Sequence, residues 1–437
     1  MKILNNFRYN ITMKDNIHIL VIAVILMGNI LKPDYPDYNA TVNGTPYPSK
    51  LFVHSMSSEN PHMGILNPDL SLYWEVNSGD QGFDFRNNNG RLSYYDKVYR
   101  QWIITDSNMI ERDTLQCLNG FTDYHDIRLL DDGGYILNCY DSLYIELELP
   151  MPQLVRDILV IQEFDDEGNL ILNWNALDHL SIYDYPNMDL AAPELTFMHG
   201  NSIEVDYDNN LLLSNRVSNE IIKIDRLTGD IIWIMGGPLN EFTFINDPLN
   251  GFNKQHDVRR IENGNITLFD NGTQHSPMLS RAVEYEIDEL NKTARLVWEY
   301  NHPNGIVAMS MGSVQRLPNQ NTLINWGFFF ETVIMDAGTL IMEVDYDKNI
   351  VFELTYPINS WAYRARKNDW DFTINIIKGD SNLDNIVNVI DVIYLLNYIL
   401  YINSQNPGLF ERHKLDLNTD GVMDILDITS MVGLILD

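Results

Sequence analysis

Three histidines stand at the same place in an internal repeat: His125 in Tyr124-His125-Asp126-Ile127, His199 in Met198-His199-Gly200-Asn201, and His256 in Gln255-His256-Asp257-Val258. Each precedes a stretch that reads as strand, Gly/Asn/Asp turn, strand. A repeat that sets the same side chain at the same point of successive units gathers those side chains around one axis. Three imidazoles around one cavity suit an anion site, a zinc site with an open position, or a nucleophile with helpers. Arg216, in Ser214-Asn215-Arg216-Val217, ends the second strand of the His199 unit and is a candidate for the same cavity. A cation there opposes a metal and favours an anion. A single histidine before a strand is ordinarily a hydrogen-bonded structural residue, so it is the convergence that argues for chemistry. The equivalent spot of the next repeat is Met311-Gly312, so the fold itself does not demand histidine there.

The elements that must position these residues are short strands. Outer hairpins are expected near 64–76, 98–115, 159–174, 222–233, 282–299 and 341–354. Inner hairpins begin at Ile127, Ile203, Val258 and Val314, with steps of 76, 55 and 56 residues. The longest step leaves room for an insertion around 176–197. Two hairpins per unit make a four-stranded sheet, and such sheets at a fixed period are blades of a β-propeller. Six outer hairpins predict six blades, with the three histidines ringing the mouth of the central channel. The fold class is therefore all-β, a propeller over 45–375. Residues 358–378 lack the repeat and are expected to close the ring and lead out of it.

A different texture follows over 376–437. Asp380, Asn382, Asp384, Asn388 and Asp391 put oxygen side chains at positions 1, 3, 5, 9 and 12 of a twelve-residue loop, and Ile386 supplies the position-7 carbonyl. Asp416, Asn418, Asp420, Asp424 and Asp427, with the Val422 carbonyl, repeat the pattern 36 residues later. Such loops wrap Ca²⁺. Gly421 fits the sharp turn at position 6, where the first loop has Asn385. Each loop leads into one apolar helix. This resembles a type I dockerin, a small α-helical calcium-binding domain with paired EF-hand-like loops. The calcium is structural, and the resemblance implies a cohesin-type protein partner. The alternative is that calcium only staples a small terminal domain.

Asp plus Glu number 61 against 29 Lys plus Arg, a formal net charge of −32. Nucleic acid is excluded as a partner, because phosphate binding needs a cationic face. At the N-terminus Lys14 precedes the apolar run Ile19-Leu20-Val21-Ile22-Ala23-Val24-Ile25-Leu26-Met27, which resembles the core of a secretory signal better than a membrane span of about 20 residues, an uncleaved anchor being the alternative. Residues 1–31 are therefore expected to be a secretory signal, with no stable membrane span after its cleavage and a secreted or periplasmic product. Cys117 and Cys139 are the only cysteines; disulfide and free thiols remain open.

The propeller resembles the arylsulfate sulfotransferase family. The resemblance rests on His125-Asp126-Ile127, His199-Gly200-Asn201-Ser202-Ile203 through Asn215-Arg216, and Gln255-His256-Asp257. Asp270-Asn271-Gly272, Ser280-Arg281-Ala282-Val283-Glu284-Tyr285 and Gly312-Ser313-Val314-Gln315-Arg316-Leu317-Pro318 extend it. It implies a six-bladed propeller that moves a sulfuryl group from a phenolic sulfate ester to a phenol, with no nucleotide cofactor. It also implies that His256 becomes transiently sulfurylated, while His125, His199 and Arg216 hold the sulfuryl oxygens. Neighbouring positive charge is expected to lower the pKa of His256. Either His199 or His125 can serve as general acid. Arg281 is a further anion contact or a structural arginine. Two other readings are a non-catalytic propeller binding module displayed through the dockerin-type tail, and a metal-dependent hydrolase or lyase.

Overall fold

The computed structural model describes residues 35–57, 61–109, 112–149, 151–329, 337–372, 377–382, 384–402 and 409–436. The expected signal at 1–31 lies outside the described residues. The chain divides into two compact units, residues 35–373 and a second one containing 374–437.

The first unit is a six-bladed propeller. Blade 4 shows how the sequence builds one. Its strands Gly200–Val205, Leu211–Asn215, Glu220–Ile224 and Ile231–Gly236 pair antiparallel in that order. Asn209 and Gly229 turn the first and third hairpins at positive φ (68° and 79°), which asparagine and glycine tolerate. The middle strands are buried on both faces, so apolar residues stand side by side in them, as in Leu211-Leu212-Leu213 and Ile221-Ile222, rather than alternating. Between blades, Trp102, Trp174, Trp233 and Trp326 are fully buried.

Segment 358–378 does more than lead out of the ring. Its strand Ala365–Asn368 pairs antiparallel with Lys50–Ser57, matching Ala365 to Val53, and so forms the innermost strand of blade 1. At the other end, Asn39–Val42 adds a fifth strand to blade 6 by pairing with Ile350–Pro357. The ring is thus closed by strands from both ends of the unit.

Neighbouring inner strands are stitched by one repeated hydrogen bond. The amide of Ile203 donates to Asp126 Oδ2 (2.9 Å), that of Val258 to Ser202 Oγ (3.0 Å), that of Val314 to Asp257 Oδ2 (3.0 Å) and that of Ala365 to Ser313 Oγ (3.2 Å). The axis is filled by buried charge. Arg364 reaches Asp84 at 2.6 Å and Asp257 at 3.0 Å, and Arg86 reaches Asp126 at 2.6 Å and Asp84 at 3.0 Å. Cys117 and Cys139 form a disulfide, which settles their pairing.

The C-terminal unit holds helices Val389–Ile402, Leu409–Leu415 and Ile425–Leu436. They close over a small core of Leu395, Leu415, Leu417, Met423 and Met431. Among the described residues no helix is long and apolar enough to cross a membrane.

Candidate active site

The inter-blade ladder gives each inner strand a common reference residue: Ile203, Val258, Val314 and Ala365 in blades 4, 5, 6 and 1, with Ile127 at the corresponding place in blade 3. His125 and His256 both stand two residues before it. His199 stands four before, and Asn201 takes the common position. The equivalence of all three histidines therefore needs correction. His199 reaches the cavity by another route, a left-handed turn in which Met198 and His199 have φ of 77° and 60°. Gly200 follows because a Cβ there would lie 2.6 Å from Leu159 Cδ1. In blade 6 the common position is Gly312, and in blade 1 it is Tyr363.

His125, His199, His256 and Arg216 nevertheless line one cavity of about 780 Å³, with Phe83, Tyr124, Met311, Trp361, Tyr363 and Lys97 among its other walls. The rings of His125 and His199 are 4.8 Å apart, and Tyr363 lies 5.5 Å from His125 and 6.4 Å from His256. The amide of Arg216 donates to the His199 carbonyl at 3.0 Å, which pins the arginine to the histidine turn. One terminal nitrogen donates to the Met309 carbonyl (3.1 Å), while its buried Nε has no partner. Among the described residues no carboxylate stands within ion-pair distance of Arg216. Burial alone lowers its pKa, so the guanidinium gains from an anion entering the cavity.

The three imidazoles differ in what stands behind them. His125 Nδ1 meets both oxygens of Asp123 (2.8 and 2.9 Å), and His199 Nδ1 meets Asp157 at 2.9 Å. His256 Nδ1 meets two neutral acceptors, Asn271 Oδ1 at 2.6 Å and the Lys254 carbonyl at 3.1 Å. The Asn271 amide nitrogen donates to the carbonyls of Ala308 (3.1 Å) and Met311 (3.0 Å), which fixes Oδ1 toward the ring. A carbonyl only accepts, so Nδ1 of His256 carries the proton and Nε2 keeps its lone pair. Burial lowers the pKa of His256 well below the ordinary histidine value, and Arg216 adds to this. The direction matches the expectation from neighbouring positive charge, but desolvation is the larger cause.

The two acidic partners also differ. Desolvation pushes the Asp123 carboxyl up to about 7, and burial holds His125 well below its usual value, so this pair shares one proton. Burial works to raise Asp157, but its hydrogen bond with His199 and that residue's charge outweigh it, and Asp157 stays a carboxylate. A carboxylate behind an imidazole also suits a zinc ligand; a guanidinium in the same cavity does not. Arg281 lies elsewhere, fully buried against Asp247 (2.9 Å), Asp270 (3.0 Å) and Glu299 (3.0 Å). It is a structural arginine.

A family model described as Arylsulfotransferase (ASST) matches residues 71–364. The chain belongs to the arylsulfotransferase family. That membership supports sulfotransferase activity in general. A second model, Dockerin type I domain, matches residues 378–436. None of the curated proteins matches the chain. Likeness to solved structures is weak. A protein of unknown function from Bacteroides caccae is 12% identical, at a TM-score of 0.46, over 74% of this chain and 99% of that one. Virginiamycin B lyase from Staphylococcus aureus is 12% identical, at 0.37, over 74% and 89%.

At this site the sequence reading missed Asp123, Asp157, Asn271 and Lys97. Asp123 had a signal, two residues from His125 on one strand, where side chains share a face. Asp157 had none. It sits at φ 54° opposite a register shift between Asp141 and Leu143, in a bulge that swings it toward a histidine 42 residues away.

The calcium loops fit the ion that dockerin domains bind. Asn385 and Gly421 take the position-6 turn at φ of 66° and 82°. The oxygen set of Asp380, Asn382, Asp384, the Ile386 carbonyl, Asn388 and Asp391 is that of a hard cation, and Asp416, Asn418, Asp420, the Val422 carbonyl, Asp424 and Asp427 match it. Asp416 and Asp427 are buried, and desolvation pushes them up to about 7 and about 6, with Asp427 also repelling Asp416. A divalent ion would relieve both. Among the described residues no three His, Cys, Asp or Glu side chains are grouped as a metal site; calcium loops draw also on amide and main-chain oxygens.

Proposed function

We propose that the chain transfers a sulfuryl group from a phenolic sulfate ester to a phenol through a sulfohistidine on His256, without a nucleotide sulfate donor. The observation that carries this reading is the setting of His256, its Nδ1 held by an amide and a carbonyl in a cavity that also contains Arg216, which among the described residues has no carboxylate within ion-pair distance. The Nε2 lone pair attacks sulfur, the S–O bond to the phenol breaks, and the N–S bond forms. The departing phenolate takes a proton from His199, whose ring is held by Asp157 at 2.9 Å. In the second half an acceptor phenol returns a proton to His199, its oxygen attacks sulfur, and the N–S bond breaks to restore neutral His256.

The transition state is loose, with charge on the three equatorial oxygens. Arg216 and His125 supply donors to those oxygens, each contributing roughly 3 kcal/mol when well placed. Phe83, Tyr124, Trp361 and Tyr363 offer rings for the phenyl groups of donor and acceptor. The Cys117–Cys139 disulfide belongs to an oxidising compartment, which supports secretion or a periplasmic location.

We read the tail as the docking element for a cohesin-type partner, since Val389, Ile390, Ile393, Ile425 and Leu426 are exposed beside the two loops. The activity is tested by incubating the protein with nitrophenyl sulfate and a phenol, with no nucleotide donor. Nitrophenol release that depends on the acceptor is the expected result; no release with any acceptor rejects the reading.

A further inference from the structure

Beside the histidine cavity lies a smaller pocket of about 330 Å³, lined by His54, Met56, Ser57, Pro61, Gly79, Asp80, Gln81 and Lys97. It shares Met56, Ser57 and Lys97 with the larger one, so Lys97 stands where the two spaces meet. Its ammonium lies 4.9 Å over the centre of the Phe83 ring. Phe83 in turn packs at 4.4 Å on Tyr124 and 4.8 Å on Tyr363, the ring that flanks His125 and His256. A wall of aromatic rings thus runs from the proposed nucleophile to an exposed cation. In a chain with a formal net charge of −32, Lys97 has no carboxylate within ion-pair distance among the described residues. The pocket behind it holds two buried polar atoms without partners, His54 Nδ1 and Gln81 Oε1.

We infer that Lys97 selects acceptor phenols that carry a carboxylate, binding that group where the two pockets meet while the phenol oxygen faces the histidines. The inference rests on the sulfuryl-transfer reading and gives it a substrate class. The ring of such an acceptor lies along Phe83, Tyr124 and Tyr363. The carboxylate replaces part of the ammonium's hydration, and the side pocket accommodates the linker or its waters. No change in the transfer step is involved; Lys97 acts on acceptor selection. Asp80 lines the side pocket as well, so a cationic substituent competes for the same space but gains nothing from Lys97.

The test compares three para-substituted phenols as acceptors at one fixed concentration of nitrophenyl sulfate. They are 3-(4-hydroxyphenyl)propionate, its methyl ester and tyramine. Wild type is expected to favour the carboxylate over the ester by about fivefold in kcat/KM, the size of one partly exposed ion pair, and to lose the preference at high salt. In Lys97→Met the ratio falls to about one, and Lys97→Arg retains most of it. Equal use of acid and ester by wild type, or a preference that survives Lys97→Met, overturns the inference while leaving sulfuryl transfer intact. Transfer to none of the three, and to no other phenol, overturns the transfer reading and this inference with it.

Discussion

His256 is set apart from the other two histidines by the partners of its Nδ1. His125 and His199 rest on carboxylates, while His256 rests on Asn271 and a carbonyl. An amide orients the ring and favours its charged form less than a carboxylate would, and burial with Arg216 outweighs it, which keeps Nε2 nucleophilic at neutral pH. Asn271→Asp should therefore raise the pKa of His256 and lower transfer at pH 7 by roughly ten- to a hundredfold, with recovery as the pH rises. Asn271→Ala should slow the reaction and move the acid limb of the pH–rate profile to lower pH, opposite to Asn271→Asp. The same depressed pKa bears on stability. The unfolded chain binds a proton at His256 as the pH falls below about 6.5, and the folded chain does not, so stability falls with pH by about 1.4 kcal/mol per unit from this residue. Thermal melts between pH 7.5 and 5.5 should show a shallower loss in His256→Gln than in wild type. The His125–Asp123 pair shares one proton in the folded state, so it adds little to that slope. The resemblance implied unequal roles for the three histidines, and Asp123 had a local signal, but the partners of His256 and His199 were not legible in the sequence. Asn271 reaches His256 from the end of the next strand, and Asp157 arrives through a bulge that no local pattern encodes.

At the level of elements, the inner strands carry the site and the axis beneath it. The repeat Asp126, Ser202, Asp257, Ser313 accounts for the ladder that ties each blade to the next, and its alternation of carboxylate and hydroxyl is visible along the chain. The outer hairpins were legible for the same reason, as turn residues between apolar runs. Segment 358–378 was expected to close the ring, but the strand that does so was not legible. Ala365–Asn368 is only four residues long and lies in a segment that lacks the hairpin texture, because its partners come from the opposite end of the unit. Arg364, which precedes it, is fully enclosed and pairs with Asp84 and Asp257. Arg364→Ala leaves those carboxylates partly uncompensated in the interior, and a loss of about 3–5 kcal/mol is expected in denaturant melts. Reduction of the Cys117–Cys139 bridge, which closes a loop of 22 residues, should cost about 3 kcal/mol.

Over the whole molecule, a strongly acidic chain places three imidazoles and a guanidinium with no ion-pair partner among the described residues in a single aromatic cavity. The two units are built from different chemistry, a propeller held by strand ladders and buried salt bridges and a helical unit built around two oxygen-lined loops. Calcium removal with EDTA should accordingly lower the melting transition of the helical unit and leave sulfuryl transfer unchanged. Calorimetry should detect two calcium sites, with Asp380→Ala and Asp416→Ala each removing one. The most direct measurement is mass spectrometry of the full chain quenched during turnover with nitrophenyl sulfate in the absence of acceptor. One added sulfuryl group on the peptide containing His256, absent from His256→Gln and discharged by added phenol, is the predicted result. A sulfuryl group on another residue, or turnover by His256→Gln at the wild-type rate, would contradict it.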